Sequence, residues 1–341
     1  MNESKASKYE WHRSPVPRAE LRKLNQRSDW RGLLQTFGHL GLLLLTGGAS
    51  WYTAANGPLW ALPILLFAHG TFYAFLLNGF HELCHKTVFK TKWLNVVFLR
   101  IFSFLGWYDP VMFWESHQAH HKYTLHPPDD LEVVLPTKIT LKNFLQVAFI
   151  NPWGLFGMVK SVAKVALGKV EGEWANLLFP PEATEKRRRL FNWARTLLIG
   201  HALLVTVSIA LGWWMLPVLT TLAPFYGGWL LFLCNNAQHS GMQDNVPDYR
   251  LNTRTILLNP FVQFLYWHMN FHIEHHMYAA VPCYHLGKLH RLIRHDLPYC
   301  PNGLFETWRQ IIAILQRQKE DPGYVFAPEL PARTMAGMEA A

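Results

Sequence analysis

Eight histidines in three short groups are the residues of this chain best placed to do chemistry. His81 and His85 stand in HELCH, His117, His120 and His121 in HQAHH, and His272, His275 and His276 in HIEHH. Residues three or four apart share one face of a helix, so each group can present its imidazoles together. Neutral imidazole is a ligand for zinc, iron, copper and nickel, so the chemistry on offer is metal binding. Chance gives on the order of 0.05 H-x-x-H-H matches per chain of this histidine content, and this chain holds two. HELCH is also a literal H-E-x-x-H, the zinc-protease signature in which Glu82 would act as general base. Such a protease needs one further ligand and has no use for two more matched clusters. Soluble di-iron carboxylate proteins need paired Glu-x-x-His motifs with additional Glu, and only Glu82-x-x-His85 fits that. So many neutral imidazoles suit two borderline metals that keep positions open for dioxygen.

The elements that must position these groups are apolar. Four stretches, at about 33–55, 58–79, 193–215 and 216–235, contain no carboxylate, and each is long enough for a helix to cross a hydrocarbon layer of about 30 Å. Charged residues are 16% of the chain, against about 25% in ordinary soluble domains. A helix of a soluble bundle shows a polar face, and these stretches show almost none. The expected fold is an all-α integral membrane protein: four transmembrane helices in two hairpins, with connectors Asn56-Gly57 and Trp213 to Pro217, and a cytosolic helical cap holding the histidines.

Charge sets the expected orientation. All 32 Lys and Arg lie in the first 32 residues, in 80–195, or from residue 250 onward. Neither hairpin connector carries one, which is the positive-inside pattern. It places both termini and 80–195 in the cytosol, with Lys186-Arg187-Arg188-Arg189 as the anchor of the third span. The net charge of +9 therefore reads as membrane topology, and no nucleic-acid partner is expected. Surface helices are expected over 94–106, 143–170 and 256–267. Residues 1–32 read as a cytosolic N-terminal tail, 33–320 as the membrane domain and 321–341 as a loosely held C-terminal tail. Cys84, Cys234, Cys283 and Cys300 form no C-x-x-C pair, so neither a zinc ribbon, a resident iron–sulfur cluster nor a disulfide framework is indicated.

In order, spacing and position relative to the spans, the three histidine groups resemble those of the integral-membrane fatty acid desaturase and hydroxylase superfamily, over about residues 33–295. HHKYTLHPPDD and HIEHHMYAAVP are similar to desaturase sequences, and HIEHH equally to carotenoid ketolases. Members of the acyl-CoA type also use an Asn-x-x-x-His at the end of the fourth span, and this chain has Asn235 and His239 there. The resemblance thus implies nine histidine ligands to two irons, with Asn235 acting through water. The first group is H-x-x-x-H where many acyl-CoA enzymes have H-x-x-x-x-H, which points away from an acyl-CoA substrate. The implied reaction is dioxygen-dependent attack on an unactivated C–H bond of a lipid or acyl chain. Desaturation is the first expectation; hydroxylation or ketone formation on a carotenoid, sterol or alkyl substrate is the alternative within the fold. No fused cytochrome or ferredoxin module is legible, so electrons are expected from a separate ferredoxin, rubredoxin or cytochrome b5 type donor. A few superfamily members act on small non-lipid metabolites. From another class, a His-rich membrane metal carrier would place its ligands inside the spans, which these are not. With no signal peptide or retention tail legible, a bacterial inner membrane is the expected location.

Several residues outside the motifs are candidates for orienting the ligands. Glu82, Asp130 and Glu274, and also Glu115 and Asp129, could accept from imidazole N–H groups. His268, one turn before His272, is the nearest spare histidine; His126, His285 and His290 also flank the groups. His69 and His201 lie within spans, where hydrogen bonding between helices is their expected role.

Overall fold

The computed structural model describes residues 8–137 and 139–332. Every regular element among them is helical. After a short α1 (Arg18–Leu24), α2 (Asp29–Asn56) inverts the pattern of a water-soluble helix. Ser28 caps its start by accepting from the Arg31 N–H. Its buried face carries Gly32, Gln35, Thr36, His39, Leu43, Gly47, Ser50 and Thr53, whereas Leu34, Phe37, Leu44, Leu45 and Tyr52 are exposed. Small and polar residues inside with large apolar residues outside is the arrangement a hydrocarbon surrounding favours. The inward polar groups are satisfied across helices. Gln35 donates to the Phe264 carbonyl, and His39 donates through Nε2 to the Phe72 carbonyl.

α3 (Leu62–Ala74) and α4 (Leu76–Cys84) run on from one another with a joint at Phe75. With the 3-10 turn before them they form an apolar rod over Leu59–Cys84, which packs along α2. The rod extends beyond the expected 58–79 and so carries His81 inside its last turn. α5 (Lys92–Leu105) and α6 (Pro110–Tyr123) follow, bent 105° from one another, and Asp109 caps α6 through the Val111 and Met112 N–H groups. The single surface helix expected over 143–170 is two helices, α7 (Leu141–Ala148) and α8 (Pro152–Ala166), because Pro152 starts a new helix under an Asn151 cap. A short α9 (Glu173–Leu178) leads to α10 (Thr184–Ala210). The third predicted span therefore begins at Thr184, and its basic run forms the helix's first turns.

Leu59–Cys84 and Thr184–Ala210 are the two described helices long and apolar enough to cross a membrane, or three if the bent α5–α6 pair counts as one. The fourth expected span, 216–235, is not one helix. It consists of α11 (Met215–Leu219), a 3-10 turn over Ala223–Phe225, and α12 (Trp229–Asn236). Pro217 and Pro224 each remove a backbone donor from the segment. Gly227 adopts φ +69°, and a Cβ there would lie 2.7 Å from the Phe67 carbonyl oxygen and the Thr71 nitrogen. The chain passes too close to α3 for any other residue. Hydropathy alone hides such a break.

Beyond α12 come α13 (Tyr249–Asn252), α14 (Pro260–Leu265), α15 (His272–Met277), α16 (Cys283–Ile293) and α17 (Gly303–Glu320). The helix expected over 256–267 is thus confined to six residues, between the Asn259 cap and a tight turn. In that turn Trp267 and His268 both have positive φ, 51° and 60°. The turn wedges the Trp267 indole against α4: a Cβ on Gly79 would lie 2.7 Å from it. The main core cluster, including Phe80, Leu83, Phe102, Trp267, Leu286 and Leu289, sits at this junction of α4, α5, α15 and α16. Residues 333–341 of the expected C-terminal tail lie outside the described residues.

Candidate metal centre

Four elements deliver the histidines. α4 ends with His81, and His85 caps it; α6 carries His117, His120 and His121; the loop after α12 carries His239; α15 carries His272, His275 and His276. The structure brings all nine together. One ring nitrogen each of His81, His85, His117, His121 and His275 lies within 4.8 Å of the others, and so, in a second group, do those of His120, His239 and His276. His272 joins the second group, its Nε2 being 3.2 Å from that of His239 and 3.3 Å from that of His276. In the first group the His117 Nε2 lies 2.7 Å from that of His81, 3.1 Å from that of His85 and 3.0 Å from that of His121.

The opposite edge of each ring decides what those close nitrogens are. His81 Nδ1 faces Glu82 Oε1 at 3.0 Å, His117 Nδ1 faces Glu132 Oε1 at 2.9 Å, and His120 Nδ1 faces Asp130 Oδ2 at 2.8 Å. His239 Nδ1 lies 2.9 Å from the Asn252 carbonyl oxygen, which can only accept. Thr124 gives its own hydrogen to the His120 carbonyl, so its oxygen accepts from His276 Nδ1 at 3.2 Å. With Glu82, Glu132 and Asp130 ionised, these five rings carry their proton on Nδ1 and, when neutral, a bare lone pair on Nε2. His81 and His117 thus point two lone pairs at each other across 2.7 Å. With both rings protonated on Nδ1, a shared cation relieves that contact.

Burial agrees with this assignment. His275 is 1% exposed and neither of its ring nitrogens has a hydrogen-bond partner; His121 Nδ1 and His272 Nδ1 are also unpartnered. Leaving a buried polar atom unpaired costs about 1–3 kcal/mol, so these atoms have the character of ligands without their ion. Burial pushes His239 down to about 3 and holds His272, His275 and His276 well below the ordinary histidine range. These rings are neutral near pH 7, the form that binds metal. Asp130 is a stable acceptor: burial opposes its charge, but the His120 bond and the Leu125 and Glu132 N–H groups hold it below the usual carboxylate range.

Other expected residues fall elsewhere. Asn235 borders the site and accepts from Asn78 Nδ2 at 3.4 Å. Glu274 does not orient a clustered imidazole. Its carboxylate takes the Thr255 hydroxyl and His290 Nδ1, each at 2.5 Å, and so fastens α15 to α16. His268 bonds Gln263 Nε2 at 3.0 Å, and no ring contact joins it to the groups among the described residues. Glu115 pairs with Lys186 and Asp129 with Lys8. His69 and His201 bond between segments as expected, His69 to Thr46 and the Leu219 carbonyl, His201 to Thr221 and the Phe104 carbonyl. Sequence reasoning missed Glu132, which stands fifteen residues after its partner in a loop with no periodicity to mark it.

Two cavities lie near the site and share part of their walls. One, of about 250 Å³, is lined by His81, His117, His120, His239 and His272 together with Asn78, Asn235 and Met269. The other, of about 450 Å³, lies between α6, α8 and α10 and is walled mainly by apolar residues such as Phe80, Trp107, Met112, Met158 and Val162. Leu77, Phe113 and Glu132 line both. An apolar chain held in the larger cavity would thus point towards the imidazoles.

The fatty acid desaturase profile matches residues 57–308, nearly three quarters of the chain, and that stretch holds all nine histidines. The chain belongs to the fatty acid desaturase family. It is a desaturase-type protein of the membrane superfamily that the histidine spacing resembles, which makes it an oxidoreductase of the desaturase or hydroxylase type. No curated protein matches it. Desaturase-family membership agrees with the apolar helices and with the histidine groups' capacity for metal. It also speaks against the zinc-protease reading of HELCH and the metal-carrier reading of the chain.

Proposed function

We propose that this protein is a membrane-bound, dioxygen-dependent desaturase that introduces a C=C bond into the alkyl chain of a fatty acyl lipid, using two irons. The observation that supports this most directly is the pair of histidine groups with lone pairs turned inward, opening onto an apolar cavity. His81, His85, His117, His121 and His275 would hold one iron and His120, His239, His272 and His276 the other, with Asn235 acting through water. Residues 33–320 form the catalytic unit, with termini and site on the cytosolic side, in a bacterial inner membrane.

Bound there, the irons supply activation of dioxygen for attack on an unactivated C–H bond. The chain's own residues do the rest. Glu82, Asp130 and Glu132 accept from His81, His120 and His117 and fix which nitrogen faces the metal. Leu77 and Phe113, at the boundary of the two cavities, hold the alkyl chain against the site and keep water out. In the overall reaction the substrate gives up two hydrogens, a separate ferredoxin, rubredoxin or cytochrome b5 type carrier gives two electrons, and with two protons from solvent dioxygen leaves as two waters.

The test is mass spectrometry of lipids from cells expressing the protein. Desaturation lowers a lipid's mass by two units. A gain of sixteen units would replace this reading by hydroxylation, and a gain of fourteen by ketone formation; an unchanged lipid profile would oppose a lipid substrate.

A further inference from the structure

The described residues of the N-terminal segment, from Lys8 onward, are fastened to the rest of the protein. The His12 N–H donates to the Pro247 carbonyl at 3.0 Å, and His12 and Ser14 both bond Asp296, which Arg250 also holds. The Trp11 indole N–H donates to the Lys122 carbonyl at 3.0 Å. So fastened, the segment lies against Tyr249, the neighbour of His276 in the second histidine group. Its aromatic residues form a continuous series there. Tyr9, partly exposed, lies 4.1 Å from the His126 ring, which is 5.3 Å from Trp11. Trp11 stacks on Tyr249 at 4.3 Å with the planes 6° apart. Tyr249, only 1% exposed, lies 5.4 Å from the ring of His276, and its hydroxyl donates to the His121 carbonyl at 3.2 Å.

Packing does not demand this series. An indole stacked on a phenol gives burial, but burial alone does not require an unbroken line of π-systems from the surface to a metal-binding ring. The dioxygen reaction requires electrons from outside, and the centre is buried. We propose that the N-terminal strap is the electron input of the enzyme. A reduced one-electron carrier docks at Tyr9, whose neighbour Tyr123 lies under the Lys122 ammonium, and its electron reaches the centre through Trp11, Tyr249 and His276. In each transfer the carrier is oxidised by one electron and the centre reduced by one. The rings shorten the gaps the electron must cross and are not themselves changed. The basic flank suits an acidic carrier. This route rests on reading the site as a redox-active two-metal centre.

The experiment injects electrons at the strap without relying on a natural carrier. A ruthenium tris-bipyridine label is attached at Lys8→Cys, or in a second protein at Gln118→Cys, exposed one helical turn along α6 from Trp114, whose ring is 5.6 Å from His85. Both carry Cys300→Ser, since the other cysteines are buried. Losing the exposed Lys8–Asp129 pair matters little. Iron-loaded, oxidised enzyme is flashed under anaerobic conditions, and reduction of the centre is followed by absorbance. From position 8, Trp11→Leu should abolish most of the fast reduction and Trp11→Phe should restore most of it. From position 118, Trp11→Leu should change nothing. Iron content and melting temperature, measured on the same samples, should match the parent, which separates a route from a merely structural strap. Fast reduction from position 8 that survives Trp11→Leu would overturn the route, as would an equal loss from both positions. Dithionite added to the parent separates the two levels: if it reduces no metal, the two-iron reading itself fails, and this route with it.

Discussion

Asp130→Asn is the sharpest test of how the second histidine group is held. Asp130 is fully buried and accepts three hydrogen bonds, from His120 Nδ1 at 2.8 Å, the Leu125 N–H at 2.8 Å and the Glu132 N–H at 2.9 Å. An asparagine has one acceptor oxygen and a donor NH2. If that oxygen keeps His120 and Leu125, the NH2 is turned against the Glu132 N–H, and the charge that strengthens all three bonds is gone. His120 is then free to rotate or change tautomer. Partners of this kind are worth about 10–100-fold in metal affinity, or roughly 1.4–2.8 kcal/mol. The assay is competition for iron against a chelator series, with metal content read by mass spectrometry and folding by thermal melting. Glu274→Gln is the paired control, because its partners are Thr255 and His290 and not a clustered imidazole. Asp130→Asn should lose affinity in that range while Glu274→Gln stays near the parent. A folded Asp130→Asn with parental affinity, or an equal loss in Glu274→Gln, would refute the assignment of tautomers and orienting partners.

Three further outcomes are expected. His239→Ala should lose bound iron and product, as His120→Ala and His275→Ala should, whereas His268→Ala, which removes a ring bonded to Gln263 and outside both groups, should keep iron and at least part of its turnover in the same assays. In metal-free protein His275→Leu should raise stability by about 1–3 kcal/mol, since it removes two unpaired buried nitrogens, while abolishing the stabilisation that iron gives the parent; calorimetry with and without metal reads both. Reporter fusions at Asn56 and at the C-terminus should report opposite sides of the membrane, and a C-terminus on the outer side would undo the arrangement of spans.

What the sequence made legible follows from periodicity. The three- and four-residue spacings of HELCH, HQAHH and HIEHH survive folding because each lies on one helix, α4, α6 or α15. His239 was reached through the family pattern, and the loop after α12 does bring its Nε2 within 3.2 Å of that of His272. The orienting partners were less legible because they come from loops. Glu132 reaches His117 from a turn in which Asp130 accepts from its N–H, and Asn252 acts through a backbone carbonyl that no side-chain pattern reveals. Glu274 fell within a histidine motif, but helix geometry aims it away from its neighbours and at α16. The 216–235 stretch read as a span because hydropathy averages over Pro217, Pro224 and Gly227, the residues that divide it. The segment around Trp11 carries no sequence pattern, and its contacts with Lys122, Tyr249 and Asp296 come to light in the folded chain.

The central claim is that nine imidazoles hold two irons for a reaction with dioxygen. Its most direct test is the metal content of gently purified protein, measured together with oxygen uptake in the presence of a reductant. Close to two irons per chain are expected, lost in parallel with oxygen uptake when His81, His120 or His275 is replaced by alanine. A single tightly held zinc, with no oxygen consumption, would contradict it.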